Sequence, residues 1–510
     1  MSRPRRRVPR LTLAASLAVG GCSFAPPPRT PDPVAEMPAD FAAPAATGDY
    51  EPLGWWADYE DPVLSRLVET ALAANPDLWE AAGRLEELRH RYRIARAALF
   101  PALSAGADVT RSSTPSNTGL GGSLGGDAGA VSDSTAGFSF DFPNRFEFTT
   151  WSASLGFAYE LDFWGRARNE SAAAVRDFMA SRADLETARI GVIGATVSTY
   201  FEIVTLRRQL AFAEENVDLL EERSELTGDR YRRGLAGSFE LYAVRQRYRD
   251  AQAALPGLRT QLDDAEGRLA VLLGRFAGHL GDLLPTILDP QVPTTHVPAT
   301  LPAALLENRP DVIAVAERVE SARLRVGARR AELLPTISLN GAAGLQSSDP
   351  DELFRADQWF LNLVGGIVAP LFQGGRLRAD VGVAEARYEQ ALAAWVRSIL
   401  TAYREVRTSL RAFDHELERY ARVRDRMTEA EASLANQLDR YRRGVGDYVS
   451  YLDARTDLNA ARTALASARR GLAEARLAVH RSLGGAWTED RRDAPGNTER
   501  TSPGTGPEDR

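Results

Sequence analysis

The chain has 510 residues, 44% of them hydrophobic and 26% charged, which is the composition of a folded protein rather than a disordered one. Its net charge is −7, so generic nucleic-acid binding is disfavoured despite the many arginines. It has no lysine and a single cysteine, which excludes an intramolecular disulfide framework.

Residues 1–21 differ from the rest. Arg3, Arg5, Arg6, Arg7 and Arg10 form a positive leader, and the apolar run LTLAASLAVGG is too short to span a bilayer as a mature helix. Cys22 follows Val19-Gly20-Gly21 directly, a pattern that resembles a bacterial lipobox. We read residues 1–21 as a lipoprotein signal peptide and Cys22 as the lipidation site. Residues 22–48 then form the lipidated N-terminus and a Pro-rich linker. An ordinary secretory signal with an incidental cysteine is the alternative. No later stretch holds ~18 consecutive apolar residues, so nothing downstream is expected to span a membrane as a helix.

The remainder reads as a tandem duplication. RYRRG occurs at Arg230 and again at Arg440, 210 residues later. ANPDLWEAAGRLEELR faces NRPDVIAVAERVESAR at an offset of 234, pairing Pro76 with Pro310 and Asp77 with Asp311. Beyond FWGRAR, which faces QGGRLR, the offset is 210 and holds to Gly274 against Gly484. Copy one therefore carries 24 more residues, in the Gly/Ser-rich stretch SSTPSNTGLGGSLGGDAGAVSDSTAG, an exposed-loop composition. Repeat 1 is assigned to residues 49–290, repeat 2 to residues 291–487, and residues 488–510 to a disordered polar tail.

In chain order, each copy offers a helix, two strands and a long helical hairpin. The strand pairs fall at about 101–163 and 335–372. TTWSASLGFAYELDF alternates with period two, its apolar set being Trp151, Leu155, Phe157, Tyr159, Leu161 and Phe163. Trp359, Leu361, Leu363, Ile367 and Leu371 keep the same parity in copy two, although Phe360, Val364 and Val368 blur the other face. PALSAGADVT and PTISLNGAAGL alternate more weakly. Strands of about ten residues suit a tilted bilayer crossing, with a half-buried soluble sheet as the alternative. Residues 166–233 and 376–443 lack proline and step their apolar positions by three and four, as Ile190, Ile193, Val197, Phe201 and Val204 do. A 68-residue helix runs ~100 Å, a length that a coiled coil needs and a globular core does not. Gly234 and Gly444 stop these helices, so each RYRRG marks the tip of a hairpin.

Four strands cannot close a membrane barrel, and open edges cannot face lipid, so subunits must share one. The chain resembles the TolC-like outer-membrane efflux family, specifically its lipoprotein branch, the NodT or OprM type. The matching stretches are the lipobox, WWADYEDPVLSRLVETALAANPDL, YELDFWGR, LPAALLENRPDVIAVAE, APLFQGGRLR and RYRRGVGDYVSYLDAR, which together cover nearly the whole chain.

The resemblance implies a mixed fold: a homotrimer with a 12-stranded β-barrel in the outer membrane and a long α-helical coiled-coil barrel in the periplasm. It implies a periplasmic adaptor and an inner-membrane pump, of the resistance–nodulation–division type, as partners. Small-molecule efflux is the expected function, with a type I secretion duct or a passive porin as alternatives. It implies no cofactor. Asp453 matches a gate aspartate and Val449 an apolar constriction one turn earlier, while Ser450 stands where some members carry a second aspartate. Gly234, Leu235, Gly444 and Val445 match adaptor-docking tips, although Arg233 and Arg443 replace a valine found in some members.

An enzyme is not expected. The five histidines lack metal-ligand spacing, His415 in HELER has no second zincin histidine, and GLGGSLGG has no phosphate-loop lysine.

Overall fold

The computed structural model describes residues 24–38, 40–41, 54–115, 145–285, 290–297 and 309–485. The duplication is visible in matched helix lengths. α1 spans Pro62–Ala74 and α2 Pro76–Ala97. α3 spans Arg166–Arg232 and α4 Ser238–Leu272. In copy two, α5 is Pro310–Ala331, α6 Arg376–Arg442 and α7 Tyr448–Ser482. Thus α2 and α5 both have 22 residues, α3 and α6 both 67, and α4 and α7 both 35. Unrelated segments would not agree three times over. The copies differ in their strands, β1 Ala102–Pro115 and β2 Arg145–Leu161 against β3 Thr336–Ser347 and β4 Trp359–Val368. Leu371, grouped with the last strand by its parity, lies beyond the end of β4. The Gly/Ser-rich insertion, Cys22 and the tail lie outside the described residues.

The repeated pentapeptide is a helix terminator. Gly234 adopts φ +73°, its N–H donates to the carbonyl of Tyr231, and Leu235 N–H reaches Arg230 O at 2.8 Å. Gly444 repeats this at φ +73°, with Val445 N–H on Arg440 O at 3.0 Å. This is a Schellman closure, and only glycine takes the left-handed position without strain. The arginines of the last turn also suit the negative end of the helix dipole.

Two compact units emerge, and neither coincides with a repeat. One gathers His90–Val175 and Ser321–Tyr388, and the other Arg29–Arg89, Arg176–Glu320 and the chain from Glu389. The first is built on a single antiparallel sheet in the order β1-β2-β3-β4. Its register puts Leu103, Phe157, Gly341 and Leu363 in one cross-strand row, and Ala105, Leu155, Ala343 and Leu361 in the next. Side chains alternate faces along a strand, so one face collects most of the large apolar residues, while Phe148 of β2 and Phe360, Val364 and Val368 of β4 fall on the other. That second face also carries Ser104, Asp108, Ser152, Ser154, Ser338 and Asn340. Gly341 makes room for a ring: a Cβ there would sit 2.3 Å from Cε1 of Phe157. The motif YELDFWGR forms the strand-to-helix junction. Asp162 caps α3 by accepting from the N–H groups of Ala167 and Arg168, at 3.0 and 2.8 Å. Trp164 Nε1 donates to Pro335 O at 2.7 Å.

The second unit holds two apolar cores. One packs Leu64, Leu67 and Val68 of α1 against Ile193, Val197 and Phe201 of α3 and Leu269 of α4. The other packs Val34 and Phe41 against Ile399, Val406 and Phe413 of α6 and Val479 of α7. The repeats share a clamp here. Asn75 Nδ2 donates to Leu272 O at 3.0 Å, and Arg309 Nη1 donates to Ser482 O at 3.0 Å. The two offsets carry Asn75 onto Arg309 and Leu272 onto Ser482. Among the described residues no helix is long and apolar enough to cross a membrane.

Candidate functional site

The end of the second helical hairpin is where charge, aromatic surface and glycine converge. Asp447 caps α7, accepting from Ser450 N–H at 2.8 Å, and so fixes the phase of the helix that follows. Val449 and Asp453 then lie one turn apart on one face. Val449 is half-buried, Leu452 beside it is buried, and Asp453 is half-exposed.

Asp453 is not a solitary carboxylate. Its Oδ1 accepts from Nη1 of Arg223, which reaches across from α3. The Arg223 side chain is only 16% exposed, against 46% for Asp453. Burial, and then the neighbouring Arg247, push the Arg223 guanidinium below its ordinary range, while Glu240 and Asp447 act in the opposite sense. A buried cation of this kind depends on its carboxylate. The contact is one rung of a polar seam between α3 and α7. Tyr448 donates to Glu222, Arg455 pairs with Glu215 at 3.1 Å, and Gln209 donates to Ser467 at 3.1 Å. The bond to Glu222, with burial second, pushes the Tyr448 hydroxyl up to about 12.

Three tyrosines brace the same tip. Tyr441, the last aromatic of α6, lies 5.1 Å from Tyr448 and 6.4 Å from Tyr451, and those two are 5.6 Å apart. Arg455 lies over the Tyr451 ring at 5.9 Å. Such contacts add to simple area burial. The first tip has no such cluster, since Ser238 and Leu241 stand at the positions of Tyr448 and Tyr451.

The four tip residues named from the sequence are placed together in pairs. Gly234 and Leu235 form one helix-to-helix turn, and Gly444 and Val445 the other. Leu235 and Val445 are both exposed, and a Cβ on Gly234 or Gly444 would meet open space. Leu235 continues into exposed Phe239 and Tyr242 on α4, which the sequence reading did not single out. It also missed Arg223. Asp453 faces Ala243 in the repeat alignment and Arg223 faces Ser433, so each charge is unmatched in the other copy. That asymmetry was the available signal, but it pairs the two only once α7 is laid beside α3. Among the described residues, no three or more His, Cys, Asp or Glu side chains gather to hold a metal ion.

Residues 67–275 and 301–485 match the family model described as outer membrane efflux protein. The chain is 31% identical over 482 residues to the pyoverdine export outer membrane protein OpmQ of Pseudomonas putida, covering 94% of this chain and 97% of that one. It is 30% identical over 487 residues to the toluene efflux pump outer membrane protein TtgC of Pseudomonas putida, covering 94% and 96%. The outer-membrane channel OprN superposes with a TM-score of 0.75 at 26% identity, over 91% of this chain and all of that one.

Proposed function

The chain belongs to the outer membrane efflux protein family, and from that premise we propose that it is the exit duct of a tripartite pump. It takes small molecules from an inner-membrane transporter, of the resistance–nodulation–division type, through a periplasmic adaptor and across the outer membrane. The observation that carries this reading is the sheet. β1, β2 and β3 put a mainly apolar and a hydroxyl-rich face on opposite sides, β4 is apolar on both, and β1 and β4 are left as open edges. Open edges in lipid are prohibitive, so the edges of three chains join into one 12-stranded barrel. The apolar face meets lipid and the hydroxyl face meets water. In the same reading Cys22 is acylated and holds the N-terminus to the membrane.

Residues 49–290 and 291–487 supply the two repeats, each ending in a helical hairpin. The tips, Gly234 with Leu235 and Gly444 with Val445, receive the adaptor. Asp453 and Val449 line the periplasmic end and close it at rest. Arg223 is the latch that holds Asp453 and α7 against α3 in the closed state.

The test is planar-bilayer conductance of the purified full chain, with its subunit number taken from native mass spectrometry. A trimer of small conductance that opens on Asp453→Ala supports the gated duct. A large conductance in the unaltered chain favours a passive porin, and absence of any channel refutes the barrel.

A further inference from the structure

A cavity of 590 Å³ lies in the second unit, where the end of α7 meets the start of α5. α3 contributes Thr187, Ile190 and Gly191 to its wall, and α6 contributes Arg404, Glu405 and Thr408. Arg309, Asp311 and Arg481 lie around the junction itself. On α6, the residues buried in the apolar core are Ile399, Ala402, Val406 and Leu410. At 3.6 residues per turn, Arg404 lies on the opposite side of the helix.

The charges are of two kinds. Arg309 is spent: it donates to both oxygens of Asp311 at 3.0 and 2.7 Å, to Glu405 at 2.8 Å and to the Ser482 carbonyl. Its two carboxylates are thereby engaged. Arg404 and Arg481 have no carboxylate partner among the described residues. Arg481 is nevertheless held in place, because its stem packs on Gly194, where a Cβ would sit 2.8 Å from Cδ. Three guanidiniums face two carboxylates, so the cavity keeps a net positive charge between low-dielectric walls, which concentrates anions. Ile190, Pro310, Ala412 and Ala478 supply apolar wall. The volume falls in the range of about 300–1,000 Å³ that holds organic ligands rather than bare inorganic ions.

We infer that this cavity binds organic anions, with Arg404 and Arg481 gripping a carboxylate or sulfonate and the apolar wall receiving its body. That such anions are cargo in transit rests on the duct reading. The binding itself does not.

The probe is 1-naphthalenesulfonate, titrated calorimetrically into the full-length protein held in amphipol without free detergent. Saturable binding of one probe per chain, weakened by salt, is expected, while uncharged 1-naphthol should not bind. Arg404→Gln combined with Arg481→Gln should weaken binding at least about tenfold. Gly191→Leu changes no charge and adds a side chain where a Cβ meets open space, so it should block binding while leaving the melting temperature intact. Unchanged affinity in both variants would overturn the assignment, because the probe would then bind elsewhere. Absence of saturable binding would overturn it too, the cavity then being filled by a neighbouring copy. Bilayer conductance of the same preparations separates the two readings. A chain that conducts without binding loses the anion site and keeps the duct, and one that binds without conducting does the reverse.

Discussion

Breaking the Arg223–Asp453 contact should open the duct, by an amount that follows from the burial of the pair. Exposed ion pairs contribute about 0–1 kcal/mol. Breaking a fully buried pair costs about 3–5 kcal/mol, because a charge is left uncompensated. Arg223 is 16% exposed and Asp453 46%, so this pair lies between those limits and nearer the lower one. A loss of about 1–2 kcal/mol from the closed state corresponds to a roughly 5–30-fold rise in the open-to-closed ratio. The assay is single-channel recording of Asp453→Ala, Arg223→Ala and the double variant. Each single variant should raise the open fraction, and the double variant should open less than the two effects combined, because both act on one contact. Exchanging the charges, Arg223→Asp with Asp453→Arg, should restore part of the closure. Open fractions that stay within twofold of the unaltered channel in both single variants would refute the latch. Additive effects would show instead that the two residues act separately.

Gly234→Ala and Gly444→Ala each force a side chain into φ +73° with no steric clash beyond the backbone, so each should destabilise its tip by about 1–2 kcal/mol. Faster protease nicking at the altered tip, with the melting temperature of the whole protein unmoved, is the expected result. Gly341→Val drives a branched side chain into the Phe157 ring and should cost about 1–3 kcal/mol, read as lost heat-resistant mobility of the assembled form in gels. Arg309→Ala strips a buried cation from two partly exposed carboxylates and a helix-end carbonyl, and should lower stability by about 1–3 kcal/mol in thermal denaturation. His480 stacks on Trp55 at 4.7 Å, and burial, with Arg476 second, lowers its pKa from 6.5 to about 3. A lowered histidine pKa means that above pH 6.5 neither state binds the proton. As pH falls from 6.5 towards 3 the unfolded chain binds it first, so stability should fall by up to about 1.4 kcal/mol per pH unit. His480→Phe should flatten that slope in Trp fluorescence melts.

The repeat, the hairpins and their tips were legible because each rests on local rules. Proline-free runs, period-two alternation and a glycine after a basic last turn all act within a few residues of themselves. The weak alternation of PALSAGADVT turned out to be a full strand of 14 residues, β1. Its signal was faint because Ala105 and Ala107 occupy the apolar face, where larger residues elsewhere advertise it. The cross-copy contacts were not legible. Arg223 and Asp453 are 230 residues apart and Glu215 and Arg455 are 240 apart, and no short-range pattern links either pair. Nor did the sequence show that compact units draw on both repeats, since that follows from packing between copies and not from either copy alone.

Duplication explains which features come in pairs, and the unpaired ones then point to specialisation. Matched helices, matched glycine closures and the matched Asn75 and Arg309 clamps give both copies the same frame. The second clamp differs in charge, since Arg309 also binds Asp311 and Glu405, where Asn75 donates to one carbonyl and accepts from the N–H groups of Asp77 and Leu78. The second tip alone has the stacked tyrosines, the Asp447 cap with a side-chain bond, and the carboxylate that meets Arg223. In the first tip Gly237 stands at the cap position and makes no such bond. A stiffer tip tied to α3 by a breakable polar seam can move as one piece when the seam parts, whereas the first tip lacks that bracing. In the gated reading proposed above, the two hairpins share a fold and divide the work, with α3 of copy one as the fixed wall and α7 of copy two as the moving part.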